Sequence, residues 1–147
     1  MHKFYITTIM CLFTLFFTSQ NLKSPDNNLD LNFSIDKSGR ATYTLNYHNK
    51  PVILNSGLGF ILKDNVEWMK IDTLDMMNDF TVINVSFDST DEIWEPVWGE
   101  ESKIRNNYNE MFVELEQKAS QRKVNIRFRL FDDSLGFRYE FPLQENL

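Results

Sequence analysis

The part of the sequence best equipped for chemistry is the stretch 92–110, where aromatic, amide, guanidinium and carboxylate side chains lie close together. Sugars bind on flat aromatic faces, and their hydroxyl groups need partners such as amides, carboxylates and guanidinium groups. The composition therefore suits a carbohydrate, although tryptophans in such a stretch also fill a core or pack on a neighbouring domain. The candidate carbohydrate-binding or packing residues are Trp94, Trp98, Glu100, Glu101, Arg105, Asn106, Asn107, Tyr108, Asn109 and Glu110.

No residue of this chain is a convincing catalytic group. Glycosidic cleavage needs two carboxyl groups on either side of a bound sugar. Glu100 and Glu101 are adjacent, and adjacent strand residues point to opposite faces, so this pair predicts surface or packing groups. A serine triad would have to use His48, because the other histidine, His2, lies at the N-terminus. A solvent-facing strand histidine is the simpler interpretation of His48.

A metal site also finds little support. Asp26, Asn28 and Asp30 resemble the beginning of a calcium loop. The sixth position of that loop is Leu31 rather than glycine, and the twelfth is Lys37 rather than glutamate. We therefore predict a turn before the first strand, and no metal or other cofactor in this chain.

Composition predicts one globular domain. The chain has 147 residues, of which 42% are hydrophobic and 14% aromatic. Its formal net charge of −6 argues against nucleic acid and anionic membranes as partners, since both attract basic surfaces.

The pattern of residues 1–20 predicts a signal peptide. Lys3 precedes an apolar run from Phe4 to Phe17, and this run is short for a membrane-spanning helix. The alternative is an uncleaved anchor. Cys11, the only cysteine, lies inside the run, so the mature domain at 21–147 would have no thiol. The expected location is the periplasm, with no membrane association after cleavage.

Alternation of apolar and polar residues dominates the rest of the sequence and predicts an all-β antiparallel sandwich. The segment 104–115 fits both helical and strand spacing, and we favour a strand from about Glu110 because its neighbours are strands. The stretch 63–79 has no clean period and predicts an irregular connection that contains Trp68 and Met69. The predicted strands are 29–35, 41–47, 51–54, 80–87, 124–130 and 135–141, with turns at 37–39 and 132–134.

The motif segments of the sequence resemble the N-terminal domain of glycoside hydrolase family 97. The resemblance is carried by 94–101, 104–106 and 108–110, and it continues at 22–26, 58–59, 128–133 and 135–142. It covers nearly the whole mature chain in order. The family motif has histidine where this chain has Asn107, which replaces a titratable ring by an amide.

This resemblance implies a β-sandwich of the super-sandwich type, incomplete here at its C-terminal end. It also implies a parent enzyme with a catalytic (β/α)8 barrel, calcium dependence and exo-acting hydrolysis of α-glucosides or α-galactosides. The catalytic carboxylates of such enzymes lie in the barrel, so the expected role of this chain is a non-catalytic support for the barrel and its active-site wall. The alternatives are a stand-alone carbohydrate-binding module and a purely structural packing domain.

Overall fold

The computed structural model describes residues 19–62, 75–145 and 147. The predicted leader, apart from its last two residues, lies outside the described residues. So do residues 63–74 of the predicted irregular connection, which include Trp68 and Met69, whereas its described end contains a short strand at Asp75–Met76. Every described element is a strand, which confirms the all-β prediction. The strands are β1 (Gln20–Lys23), β2 (Leu29–Ile35), β3 (Ala41–Tyr47), β4 (Lys50–Gly57), β5 (Phe60–Ile61), β6 (Asp75–Met76), β7 (Phe80–Trp94), β8 (Ile104–Gln117), β9 (Lys123–Leu130) and β10 (Leu135–Glu140).

The strands form two four-stranded antiparallel sheets and a small two-stranded one. Sheet 1 has the order β1-β2-β3-β4, sheet 2 has the order β10-β9-β8-β7, and β5 pairs with β6. Both large sheets consist of sequence neighbours, as expected when short turns join antiparallel strands. No described segment forms a helix long and apolar enough to span a membrane.

The turn between β2 and β3 shows why the predicted first hairpin forms. Asp36 Oδ1 accepts hydrogen bonds from the backbone N–H groups of Ser38 at 2.8 Å and Arg40 at 3.0 Å. Gly39 has a φ of 77°, a conformation that favours glycine. A Cβ on Gly39 would lie 2.7 Å from the backbone of Asp79, so the turn also requires a residue that has no side chain.

The hydrophobic core lies between the two large sheets. Phe33 of sheet 1 and Phe128 of sheet 2 are both fully buried, and their ring centroids are 5.8 Å apart. Most of the inward positions that alternation predicted on β2, β8 and β9 are buried. The buried core residues are Leu22, Leu29, Leu31, Phe33, Ala41, Leu45, Leu58, Met76, Phe80, Met111, Val113, Leu115, Val124, Ile126, Phe128 and Leu130.

Several predicted boundaries need correction. The strand predicted at 80–87 continues to Trp94, and the strand predicted from Glu110 begins at Ile104. Polar residues occupy both faces of these extra segments, so alternation gave no signal there. Alternation along the predicted strand 80–87 also places Ile83, Val85 and Phe87 on one face. This prediction is wrong, because an irregularity between Val82 and Asn84 makes Ile83 an unpaired extra residue.

Two turns also differ from the prediction. His48 lies in the turn between β3 and β4 rather than on a strand, with a φ of 47°. It is exposed, and its ring lies edge-on to that of Tyr47 at 4.2 Å. The predicted turn at 24–28 joins two strands, because β1 precedes it. Ser24 donates to Asp26 Oδ1 at 2.6 Å within this turn.

Candidate functional site

The stretch singled out in the sequence forms a two-stranded arm. The pairing of β8 with β9 ends where Asn109 faces Leu130, and from there β8 pairs with β7 alone. We define the arm as residues 90–108, from the pair of Thr90 with Tyr108 to the tip. The tip, residues 95–103, has no regular structure, so Glu100 and Glu101 lie in a bend rather than on a strand.

The arm is braced by polar pairs across its two strands. Arg105 donates through Nε and Nη2 to the two carboxylate oxygens of Asp91 at 2.8 and 2.9 Å. These hydrogen bonds hold the pKa of Asp91 below its ordinary value. Asn106 donates to Glu92 Oε1 at 2.9 Å, so two of the predicted polar residues, Arg105 and Asn106, bind neighbours on the arm. Asn107 faces Asp91 in the register and is partly buried.

The tip exposes apolar side chains to solvent. Trp98 is 90% exposed and Val97 is fully exposed, while Trp94 at the end of β7 is about half exposed at 48%. Lys103 and Glu95, whose charged atoms are 3.5 Å apart, form an ion pair within the tip. Trp94, Trp98, Glu100 and Glu101 therefore lie together on the accessible end of the arm.

The last three predicted site residues, Tyr108, Asn109 and Glu110, lie at the base of the arm, and their side chains point to opposite faces of sheet 2. Asn109 donates to the backbone oxygen of Lys23 at 2.9 Å and ties β8 to β1. Tyr108 and Glu110 are buried on the outer face of sheet 2, away from the core. The structure thus divides the predicted set between the tip, the arm and the outer face, and does not assemble it into one pocket.

Glu110 belongs to a charged cluster that the sequence analysis missed. Its carboxylate accepts from Nη1 of Arg127 and, at 2.8 Å, from Nε of Arg129. Arg127 Nε also donates to Glu140 at 2.6 Å, and Arg138 Nε donates to the same oxygen at 2.7 Å. We call these five residues the outer-face cluster. Alternating charges on the closing hairpin were the only sequence signal for it.

Electrostatics within the outer-face cluster follow from these contacts. Hydrogen bonds from Arg127, opposed by partial burial, lower the pKa of Glu140 to about 2. The same pairing raises the pKa of Arg127 above its ordinary value. The guanidinium of Arg127 also lies 4.3 Å above the ring of Phe112, and that of Arg129 lies 4.5 Å above Tyr108. Each guanidinium is thus held by both a carboxylate and an aromatic face.

Comparison with known families agrees with this arrangement of strands and motifs. A model described as "Glycosyl-hydrolase 97 N-terminal" matches residues 22–147. The chain belongs to this family. The match includes the whole arm and both hairpins that flank the core. The resemblance inferred from the sequence motifs is therefore confirmed.

Solved structures of family 97 enzymes share the fold. Complexes of a glycoside hydrolase family 97 enzyme from Pseudoalteromonas sp. strain K8, one with panose and one with acarbose, are each 32% identical to this chain with a TM-score of 0.72. A β-arabinopyranosidase is similar in fold, with 24% identity and a TM-score of 0.71. Each comparison covers 85% of this chain but only 18% of the enzyme, so the chain spans less than a fifth of these relatives.

Proposed function

We propose that this chain is the non-catalytic N-terminal domain of an exo-acting α-glycosidase that cleaves α-glucosides or α-galactosides. Its role would be to support the catalytic (β/α)8 barrel and to form part of the active-site wall. Membership of the family supports this proposal, as do the panose and acarbose complexes of the Pseudoalteromonas enzyme. We further propose secretion to the periplasm, on the basis of the apolar leader at residues 1–20.

The observation that carries the proposal is the exposed apolar tip. Trp98 and Val97 expose nearly all of their surface at the end of an arm that extends beyond the four-stranded part of sheet 2. Neighbouring exposed apolar groups of this kind mark contact surfaces, and an aromatic anchor in such a contact is worth roughly 2 kcal/mol or more. Braces such as Arg105–Asp91 hold the arm in shape before any partner binds.

We propose that the calcium ion of the enzyme is bound outside this chain. Among residues 19–62, 75–145 and 147, no group of three or more His, Cys, Asp or Glu side chains is arranged to hold a metal ion. The two carboxylates of the outer-face cluster, Glu110 and Glu140, form ion pairs with arginines. Their negative charges are therefore already neutralised and do not attract a cation. Glu110 and Glu140 by themselves therefore do not offer a calcium site.

A chimera tests the supporting role directly. Residues 22–147 would replace the aligned part of the Pseudoalteromonas enzyme, and hydrolysis of panose would be measured. We expect Trp98→Ala to lower kcat/KM at least tenfold, because it removes the anchor of the contact. Leu54→Ala, at a 73% exposed position on β4, is the matched control and should change nothing. Equal activity of the two variants would contradict the proposal.

The alternative of a stand-alone carbohydrate-binding module rests on the same tryptophans, since exposed rings beside Glu100 and Glu101 suit a sugar. Titration of the isolated chain with panose, followed by tryptophan fluorescence, separates the two readings. The supporting role predicts no saturable change and no hydrolysis of 4-nitrophenyl α-glucoside by the chain alone. A saturable change that is lost in Trp98→Ala favours the binding module, and turnover would contradict both.

A further inference from the structure

The outer-face cluster borders an open cavity of about 190 Å³ at the β9–β10 edge of sheet 2. It lies on a different part of the molecule from the tip of the arm. We propose that this cavity binds the carboxylate group of a small organic acid. Its lining residues are Arg127, Arg129, Phe131, Gly136, Phe137 and Arg138.

The cavity has hydrogen-bond donors to spare. Arg127 is committed, since Nε and Nη2 donate to Glu140 and Nη1 donates to Glu110. Arg129 uses only Nε, toward Glu110, and its two Nη groups have no partner among the described residues. Arg138 directs Nε and Nη2 at one oxygen of Glu140, both at 2.7 Å. The free N–H groups of Arg129 and Arg138 suit the two oxygens of a carboxylate.

Charge favours a monoanion. Three guanidinium groups and two carboxylates leave the outer-face cluster with one positive charge, although the whole chain carries a formal charge of −6. One carboxylate neutralises that excess, whereas a dianion would leave a negative charge beside Glu110 and Glu140. A neutral sugar would gain nothing from the excess charge.

The guanidinium groups are held in place before any ligand arrives. Glu110, the one buried charged residue in the part of the chain that the structure describes, fixes Arg129 from one side, and the ring of Tyr108 supports its guanidinium plane. Tyr108 in turn packs against Phe131 with ring centroids 5.3 Å apart. Binding therefore costs little side-chain entropy at Arg129, which is the usual advantage of a preorganised site.

Gly136 keeps the cavity open. It faces Arg129 in the β9–β10 register, and a Cβ at this position would meet no atom within 4 Å. A larger side chain would occupy the space beside Arg129 without a clash. Gly136→Val therefore offers a way to fill the cavity and keep the strand, since valine suits β-structure.

Nuclear magnetic resonance of the arginine Nε–Hε groups tests the proposal on the intact chain. Titration with acetate and with glucuronate, at constant ionic strength in chloride, should give saturable shifts of Arg129 at millimolar concentration, and glucose should give none. Gly136→Val and Arg129→Gln should each weaken acetate binding at least fivefold. Lys50→Gln, which removes an exposed positive charge on β4, is the control and should bind as the unaltered chain does.

The outcomes separate the sources of the carboxylate. Equal affinity for acetate and glucuronate identifies a site for the carboxylate group alone, and tighter binding of glucuronate identifies an acidic sugar as the ligand. Shifts that stay linear with concentration, or that chloride alone reproduces, would overturn the proposal. So would unchanged binding by Gly136→Val, once its melting temperature shows that the variant is folded.

Discussion

Replacement of Glu110 by alanine tests whether the outer-face cluster stabilises the fold. The Glu110 side chain is only 10% exposed and accepts hydrogen bonds from two arginines. A hydrogen bond to a charged group contributes roughly 1.5–3 kcal/mol when it is shielded from water. Arg127 is 23% exposed, which places its bond near the lower end of that range. Arg129 is 40% exposed, and screening by water reduces its share to about 0.5–1 kcal/mol.

The expected loss for Glu110→Ala is therefore about 2–3 kcal/mol in the free energy of unfolding. For a chain of this size, this corresponds to a fall of roughly 6–10 °C in melting temperature. Urea unfolding followed by far-ultraviolet circular dichroism is the suitable assay. Tryptophan fluorescence would be weighted toward the arm, because two of the three tryptophans, Trp94 and Trp98, are exposed there.

Glu114→Ala is the matched control for this measurement. Glu114 lies on the same strand and the same face, but its carboxylate accepts one exposed hydrogen bond, from Asn84 at 3.0 Å. The same chemical change should cost less than about 0.5 kcal/mol there. Equal losses in the two variants would refute the argument that burial and double pairing make Glu110 important.

Two further predictions concern single positions. Gly39→Ala should lower the free energy of unfolding by about 2 kcal/mol or more, because the φ of Gly39 is positive and a Cβ there would lie 2.7 Å from the backbone of Asp79. Gly136→Ala is the control and should leave the stability unchanged, since a Cβ at that position meets no atom within 4 Å. Equal urea midpoints for the two variants would contradict this prediction. Lowering the pH from about 5 to 2 should also destabilise the chain. The pKa of Glu140 is depressed to about 2 in the folded state, so its contribution is present above the unfolded value near 4.5 and is lost as Glu140 is protonated. Glu140→Gln should flatten this pH dependence of the melting temperature, and an unchanged slope would show that other groups cause it.

The sequence by itself determined the all-β class, two hairpins and the family. Strict alternation at 29–35 and 41–47 identified the first hairpin, and alternation at 124–130 and 135–141 identified the last one. Gly39 marked the turn because few other residues accept its φ. The motif segments in the arm carried the family resemblance without any knowledge of where their side chains lie.

Only the tertiary structure decided how the predicted site residues are distributed. Register places Glu110 opposite Arg129, a residue nineteen positions away, and directs Asn109 to the other face, toward β1. Cross-strand contacts set this register, and they leave no periodic mark where both faces of a strand are polar. For the same reason the sequence could not show that residues 90–108 form an arm. It identified the chemistry of these side chains, and the pairing of the strands decided which of them meet.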